Sequence, residues 1–280
     1  MGKSLPVLNS LFNSLSSLGS TAVSRFESLR PGSDAPGDGR TVDDFKPYLV
    51  ALNLTSRCNL KCDHCYLDAT TKMGGGHDEL TTEECFRLID QIAEVNRGSL
   101  LVITGGEPLV RPDILDIARH AVKHQFMVVF GTNGMLIDDA MAKEMVEIGV
   151  MGVGISIDSL DPAKHNAFRG LPNAWEGALA GIEACKRNGL QFQVHFSAQP
   201  MNYQELPAVI DWSHDLGAKV LNVFFMVCTG RGEELTDITP SQYEEVLGYL
   251  IECQDKYQDM LVRARCAPHF KRLAYEKDPN

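Results

Sequence analysis

The chain has no run of about 18 apolar residues, so nothing in it reads as a membrane span. It has no excess of cations: 26 Lys and Arg face 37 Asp and Glu, for a formal charge of −11 and a pI near 5.2. Phosphate affinity rests on clustered Lys and Arg, so a nucleic-acid surface is not expected. Nor is there a compact apolar stretch after Lys3, because Leu5 to Leu18 is broken repeatedly by Ser and Asn. A secretory signal is therefore not expected, and the expected location is the cytoplasm. In that reducing compartment the eight cysteines read as free thiols or metal ligands rather than disulfides, so their spacing matters more than their even number.

With 280 residues, 44% of them apolar, the chain can bury a substantial core. Residues 1–46 read as an N-terminal extension, with a helix-like recurrence at Leu8, Leu11, Phe12, Leu15, Leu18, Ala22, Phe26 and Leu29, followed by a linker from Arg30 to Arg40. Residues 47–230 alternate short apolar strands ("YLVALNL", "SLLVIT", "FMVVFG", "GVGISID", "QFQVHFS", "KVLNVFFM") with amphipathic helices. Residues 231–280 read as a final helix and the start of a further region. Six βα repeats imply a parallel sheet with right-handed crossovers.

The strand pattern favours a barrel over an open sheet. In "QFQVHFS" Phe192, Val194 and Phe196 share one face while Gln193, His195 and Ser197 share the other, and "GVGISID" splits the same way. A sheet covered by helices on both sides would be apolar on both faces. One polar face fits a barrel, complete or partial, around a polar cavity, with its site at the C-terminal ends of the strands.

Every polar cluster falls at such an end. "TSRCNLKCDHCYL" follows the first strand and places Cys58, Cys62 and Cys65 within eight residues; "TGGEP" follows the second, "GTNG" the third, and "SID" closes the fourth. Structural zinc wants four protein ligands, and the nearby fourth candidate, His64, adjoins Cys65 and is poorly placed to share its metal. A [4Fe–4S] cluster is built on thiolates, usually four. Three thiolates would leave one iron open to a substrate or cofactor.

The ordered set Cys58-x3-Cys62-x2-Cys65, Tyr66, "GGEP", "TNG" and "SID" resembles the radical S-adenosylmethionine (radical SAM) superfamily over residues 48 to 226. The resemblance implies a partial (β/α)6 TIM-like barrel and a [4Fe–4S] cluster whose open iron is chelated by SAM. It further implies reductive cleavage of SAM to a 5′-deoxyadenosyl radical that abstracts hydrogen from a substrate, with an electron donor such as flavodoxin or ferredoxin. By the same resemblance Gly105 and Gly106 approach the methionyl end of SAM, Glu107 accepts from its ammonium group and Pro108 stiffens the turn. Ser156 and Asp158 would bond the ribose, His64 would lie against the adenine, and Arg169 would either approach the SAM carboxylate or form a surface salt bridge. Thr132 and Asn133 are either SAM contacts or the builders of an Asn-Gly turn.

Other residues read as structural. Cys85, Cys185 and Cys253 sit in helix patterns as packing residues, and Asn202 with Glu205 reads as a helix capping box. Cys266, in "RCAPHFKR", resembles the first cysteine of the auxiliary-cluster region in the SPASM or twitch branch; the alternative is a single free thiol on a tail. Further cysteines are missing before Asn280, so the expectation is a chain that continues or a Cys266 without a cluster. "GGEPLVRPDI" and "CAPHFKR" look most like the members that modify heme-type tetrapyrroles in heme d1 biosynthesis and the alternative heme pathway, which implies propionate removal from a siroheme-derived substrate. A peptide-modifying maturase shares the core motifs, and an iron–sulfur electron-transfer protein is the alternative of another class.

Overall fold

The computed structural model describes residues 46–69 and 79–278. The expected N-terminal helix and linker lie outside the described residues. Among the described residues, seven strands alternate with helices: β1 (Leu49–Asn53), α1 (Thr82–Asn96), β2 (Leu100–Thr104), α2 (Ile114–Lys123), β3 (Met127–Thr132), α3 (Asp139–Ile148), β4 (Gly152–Ser156), α4 (Pro162–Arg169), α5 (Ala174–Asn188), β5 (Phe192–Ala198), α6 (Leu206–Asp215), β6 (Val220–Phe225), α7 (Pro240–Glu252), β7 (Leu261–Arg265) and α8 (Phe270–Lys277). Each strand pairs in parallel with the next, in the order β1 to β7.

Local sequence explains the helix limits. Thr81 and Glu84 form a capping box at the start of α1, and Thr239 and Gln242 do the same for α7, each satisfying two otherwise orphaned N–H groups. Helices α3 and α5 end on Gly149 and Gly189 in the left-handed conformation.

The outer strand face carries the core. Leu101, Ile103, Val128, Phe130, Val194 and Phe196 are fully buried beneath the helices, and each contributes about 1.5–3 kcal/mol through its removal from water. The inner face is polar in β5, where Gln193, His195 and Ser197 are partly open to the lumen while their neighbours are buried, but Leu100, Val102 and Val129 from β2 and β3 also line it. Cys85, Cys185 and Cys253 are buried in the core.

The sheet departs from the sequence reading at one strand. Residues 261–265, "LVRAR", form a seventh parallel strand in register with β6, where only a helix and an appended region were expected. Its inward positions include Arg263 and Arg265, so its alternation reads as solvent-facing until the polar lumen is known. Asn202 also departs: its side chain makes no helix cap. Instead Nδ2 donates to Asp158 O (2.7 Å) and Ser197 O (2.9 Å), tying the ends of β4 and β5, while Glu205 accepts from Ser159 Oγ and Leu160 N.

Candidate active site

A cavity of about 500 Å3 opens at the C-terminal ends of the strands, a volume in the usual range for small-ligand sites. Cys58, Cys62 and Cys65 line it, with His64, Gly105, Gly106, Thr132, Asn133, Ser156, Arg169 and Cys266. Glu107, Pro108 and Asp158 do not line it.

Each cysteine sulfur already has a donor. Leu60 N donates to Cys58 Sγ (3.3 Å), Ala69 N to Cys65 Sγ (3.3 Å), and Arg169 Nη1 to Cys62 Sγ (3.6 Å). Such donors favour thiolate over thiol. Burial opposes them, pushing the Cys58 thiol up to about 12 and raising Cys62 despite the Arg169 charge, so ligation of iron must release protons. Three sulfurs on one cavity wall, each with N–H support, fit an iron–sulfur cluster. The cavity wall also holds buried polar atoms without a partner among the described residues, His64 Nδ1, Gln199 Nε2 and Arg169 Nε, which fit a polar ligand beside that cluster.

The cysteine loop is held by neighbouring strand ends. A Cβ on Gly106 would lie 2.3 Å from Arg57 O, and one on Gly105 2.5 Å from Thr55 O. Gly106 N donates to Thr55 O and Glu107 N to Arg57 O. The two glycines thus make room for the cysteine loop itself as well as facing the cavity.

Glu107 differs from expectation. It is completely buried, and its carboxylate accepts from Thr132 Oγ1 (2.8 Å), Asn133 N (2.7 Å) and Leu109 N (3.1 Å). Burial outweighs these donors and pushes the carboxyl up to about 7. Its oxygens are engaged in joining the end of β2 to the end of β3, and the buried Pro108 starts the short 3-10 turn that follows. Asn133 is a turn builder: Oδ1 accepts from Met135 N, and Nδ2 donates to Asn59 Oδ1 within the cysteine loop. Thr132 accepts from Gly134 N while facing the cavity.

Asp158 differs too. It is completely buried, where burial alone would raise its carboxyl, but the Arg169 guanidinium prevails and holds it below the ordinary value. Arg169 Nη2 lies 2.5 Å from Asp158 Oδ2, an ion pair off the hydrogen-bond axis, and Oδ1 accepts from Ser197 N. Ser156, two residues back, keeps a hydroxyl on the cavity wall with only a long 3.5 Å contact to Thr132 O. His64 stacks on Phe168 at 4.4 Å between centroids, and burial pushes it down to about 4, so its ring is neutral.

Arg231 was missed. It follows β6 in "TGRGEE", a stretch that lies outside the four motifs. Its Nε donates to Cys62 O (2.8 Å), its Nη1 to Ala69 O and to Asp68, and its own N–H to Cys65 O. Gly230 precedes it at φ +57, where a Cβ would lie 2.5 Å from Cys65 O. Cys266 stands at the end of β7, exposed and on the cavity wall.

The family model of the radical SAM superfamily matches residues 52–229. The chain belongs to that superfamily. It is 37% identical over 227 residues to the AdoMet-dependent heme synthase of Methanosarcina barkeri, a match covering 81% of this chain and 64% of that protein. It is 36% identical over 187 residues to the pre-heme d1 synthase of Dinoroseobacter shibae, covering 66% of this chain and 45% of that protein. The fold is shared with Streptococcus suis SuiB bound to S-adenosylmethionine, at a TM-score of 0.69 and 14% identity over 82% of this chain and 53% of that one. The chain therefore spans less than two thirds of the length of these relatives. Membership in the radical SAM superfamily implies SAM and a [4Fe–4S] cluster as cofactors. No helix among the described residues is long and apolar enough to cross a membrane.

Proposed function

We propose that Cys58, Cys62 and Cys65 hold a [4Fe–4S] cluster with SAM on its fourth iron, and that the enzyme modifies a propionate-bearing, siroheme-derived tetrapyrrole. The observation that carries the first half is that three cysteines, each with its own N–H donor to sulfur, line one cavity of suitable size. When bound, the cluster supplies the electron that cleaves SAM to a radical able to abstract hydrogen. Leu60 N, Ala69 N and Arg169 stabilise the thiolates, and Arg231 fixes the loop that carries them. Ser156, Thr132 and Gln199 offer hydrogen bonds to SAM, while the His64–Phe168 stack gives its adenine a neutral aromatic surface. Glu107 and Asp158 act one step removed, by setting the positions of Thr132, Asn133 and Arg169.

Two of the relatives are named for tetrapyrrole synthesis, which supports that substrate class over a peptide. Flavodoxin or ferredoxin is the proposed electron source and the cytoplasm the proposed location. Cys266 is the proposed ligand of an auxiliary cluster, since it shares the cavity wall with the three motif cysteines. The test is anaerobic reconstitution with iron, sulfide, dithionite and SAM, followed by incubation with candidate tetrapyrroles and peptides. Formation of 5′-deoxyadenosine coupled to decarboxylation of a tetrapyrrole is expected. A mass change only in a peptide would replace the substrate reading, and a stable cluster that never cleaves SAM would leave an electron carrier.

A further inference from the structure

The lumen continues below the cysteines. A second cavity of about 300 Å3 occupies the N-terminal half of the barrel and shares Val102, His195 and Phe224 with the first. Its wall carries Arg263 and Arg265 from β7 and Lys219 from the turn before β6, and no Asp or Glu is among the described residues that line it. On a chain with 37 acidic residues and a charge of −11, three cations gathered without a carboxylate are a marked segregation.

The two arginines are held differently. Arg265 Nε donates to Asn222 Oδ1 (2.8 Å), and Asn222 Nδ2 donates to Gln193 Oε1 (2.9 Å), so a relay of amides across β5 and β6 fixes its direction. The side chain of Arg263, opposite Asn222 in the strand register, makes no hydrogen bond or ion pair with a described residue. Burial and the neighbouring Arg265 charge push it down to about 10, with Tyr48 opposing weakly. Like charges facing a confined space repel, and two half-buried guanidinium groups side by side are stabilised by an anion between them. Nothing in the reaction proposed for the upper cavity uses them.

We infer that the base of the barrel is an oxyanion site, in which Arg263 and Arg265 receive a small ligand bearing a carboxylate or phosphate group. Planar guanidinium forks match either group with two parallel hydrogen bonds. Lys219 adds charge at the mouth, the amides of Gln193 and Asn222 suit a neutral polar substituent, and Leu49 and Leu261 bound an apolar portion. The site stands apart from the cysteines and does not depend on the tetrapyrrole reading.

The test uses the full, cluster-loaded chain, titrated in separate arms with inorganic phosphate and with succinate at constant ionic strength, and followed by calorimetry. Saturable binding in at least one arm is expected, weakened at least tenfold in Arg263→Met and in Arg265→Met and unchanged in the surface control Lys143→Met. The arm that saturates distinguishes phosphate from carboxylate. SAM cleavage should persist in both arginine variants and serves as the check on folding. Should a variant fail to fold, phenylglyoxal modification of the wild-type protein replaces it: the bound probe should slow modification of Arg263, read by peptide mass spectrometry. Absence of saturation in both arms, undiminished binding in Arg263→Met, or equal modification with and without the probe would each overturn the site.

Discussion

Arg169 joins a cysteine of the metal-binding loop to a carboxylate at the end of β4: its Nη1 lies 3.6 Å from Cys62 Sγ and its Nη2 2.5 Å from Asp158 Oδ2. All three side chains are buried or nearly so. The guanidinium therefore acts on the thiolate and the fold at once. Replacing it by Met leaves the Asp158 charge buried without its partner, which should cost about 3–5 kcal/mol in the cluster-free protein, measured by urea unfolding. The double variant Arg169→Met/Asp158→Asn should recover part of that loss. Equal stabilities of the single and double variants would show that the pair is not the source of the effect.

The cysteines divide into two groups with opposite expectations. Cys58→Ala, Cys62→Ala and Cys65→Ala should each remove the cluster and 5′-deoxyadenosine formation together, as read by iron content and visible absorbance. Cys266→Ala should retain SAM cleavage, because its thiol lies on the opposite wall strand and outside the three-cysteine loop. Cys185 and Cys253 are core residues, and conversion to Ala should change stability by about 1 kcal/mol with the cluster intact. A core variant that lost its iron would reverse this division.

Much of this was legible because strand periodicity and ligand spacing are local signals. The alternation in β5 announced a polar lumen, and the spacing of Cys58, Cys62 and Cys65 announced the loop. Roles set by tertiary partners were less legible. Glu107 and Asp158 look from their motifs like ligand-facing carboxylates, yet each is buried against donors supplied by another strand end. Arg231 carries no motif, and its four contacts to the cysteine loop exist only because β6 ends beside β1's loop. The seventh strand was hidden because charged residues facing a lumen look the same in sequence as charged residues facing water.

Two buried groups give pH effects of opposite sign. Burial in the lumen, with Arg265 and Arg169 adding to it, pushes His195 down to about 4, so the unfolded chain binds the extra proton and stability is lost as pH falls from 6.5 toward 4. Glu107 is pushed up to about 7, so the native state binds the extra proton and its contribution is lost as pH rises from 4.5 toward 7. Each group alters the slope of unfolding free energy by at most about 1.4 kcal/mol per pH unit within its window. His195→Gln should therefore flatten the rise of stability with pH, and Glu107→Gln should steepen it. Denaturant midpoints taken between pH 4.5 and 6.5 read both; the same direction of change in the two variants would contradict the assignments.

The sharpest test of the loop's support is at Gly230 and Arg231. Gly230 has φ +57, and a Cβ there would stand 2.5 Å from Cys65 O and 2.7 Å from Tyr66 O, both backbone atoms that cannot rotate away. Gly230→Ala should therefore move the third cysteine as well as strain the turn by about 1 kcal/mol. Arg231→Met removes donors to Cys62 O and Ala69 O without adding a clash. If both act through the loop, each should lower iron incorporation and SAM cleavage in proportion, while unfolding of the cluster-free protein changes by no more than about 1–3 kcal/mol. Arg231→Lys keeps the charge but loses the guanidinium fork, so it should restore little. Full iron loading in Gly230→Ala would mean that the loop accommodates the extra methyl group, and that its position owes nothing to the end of β6.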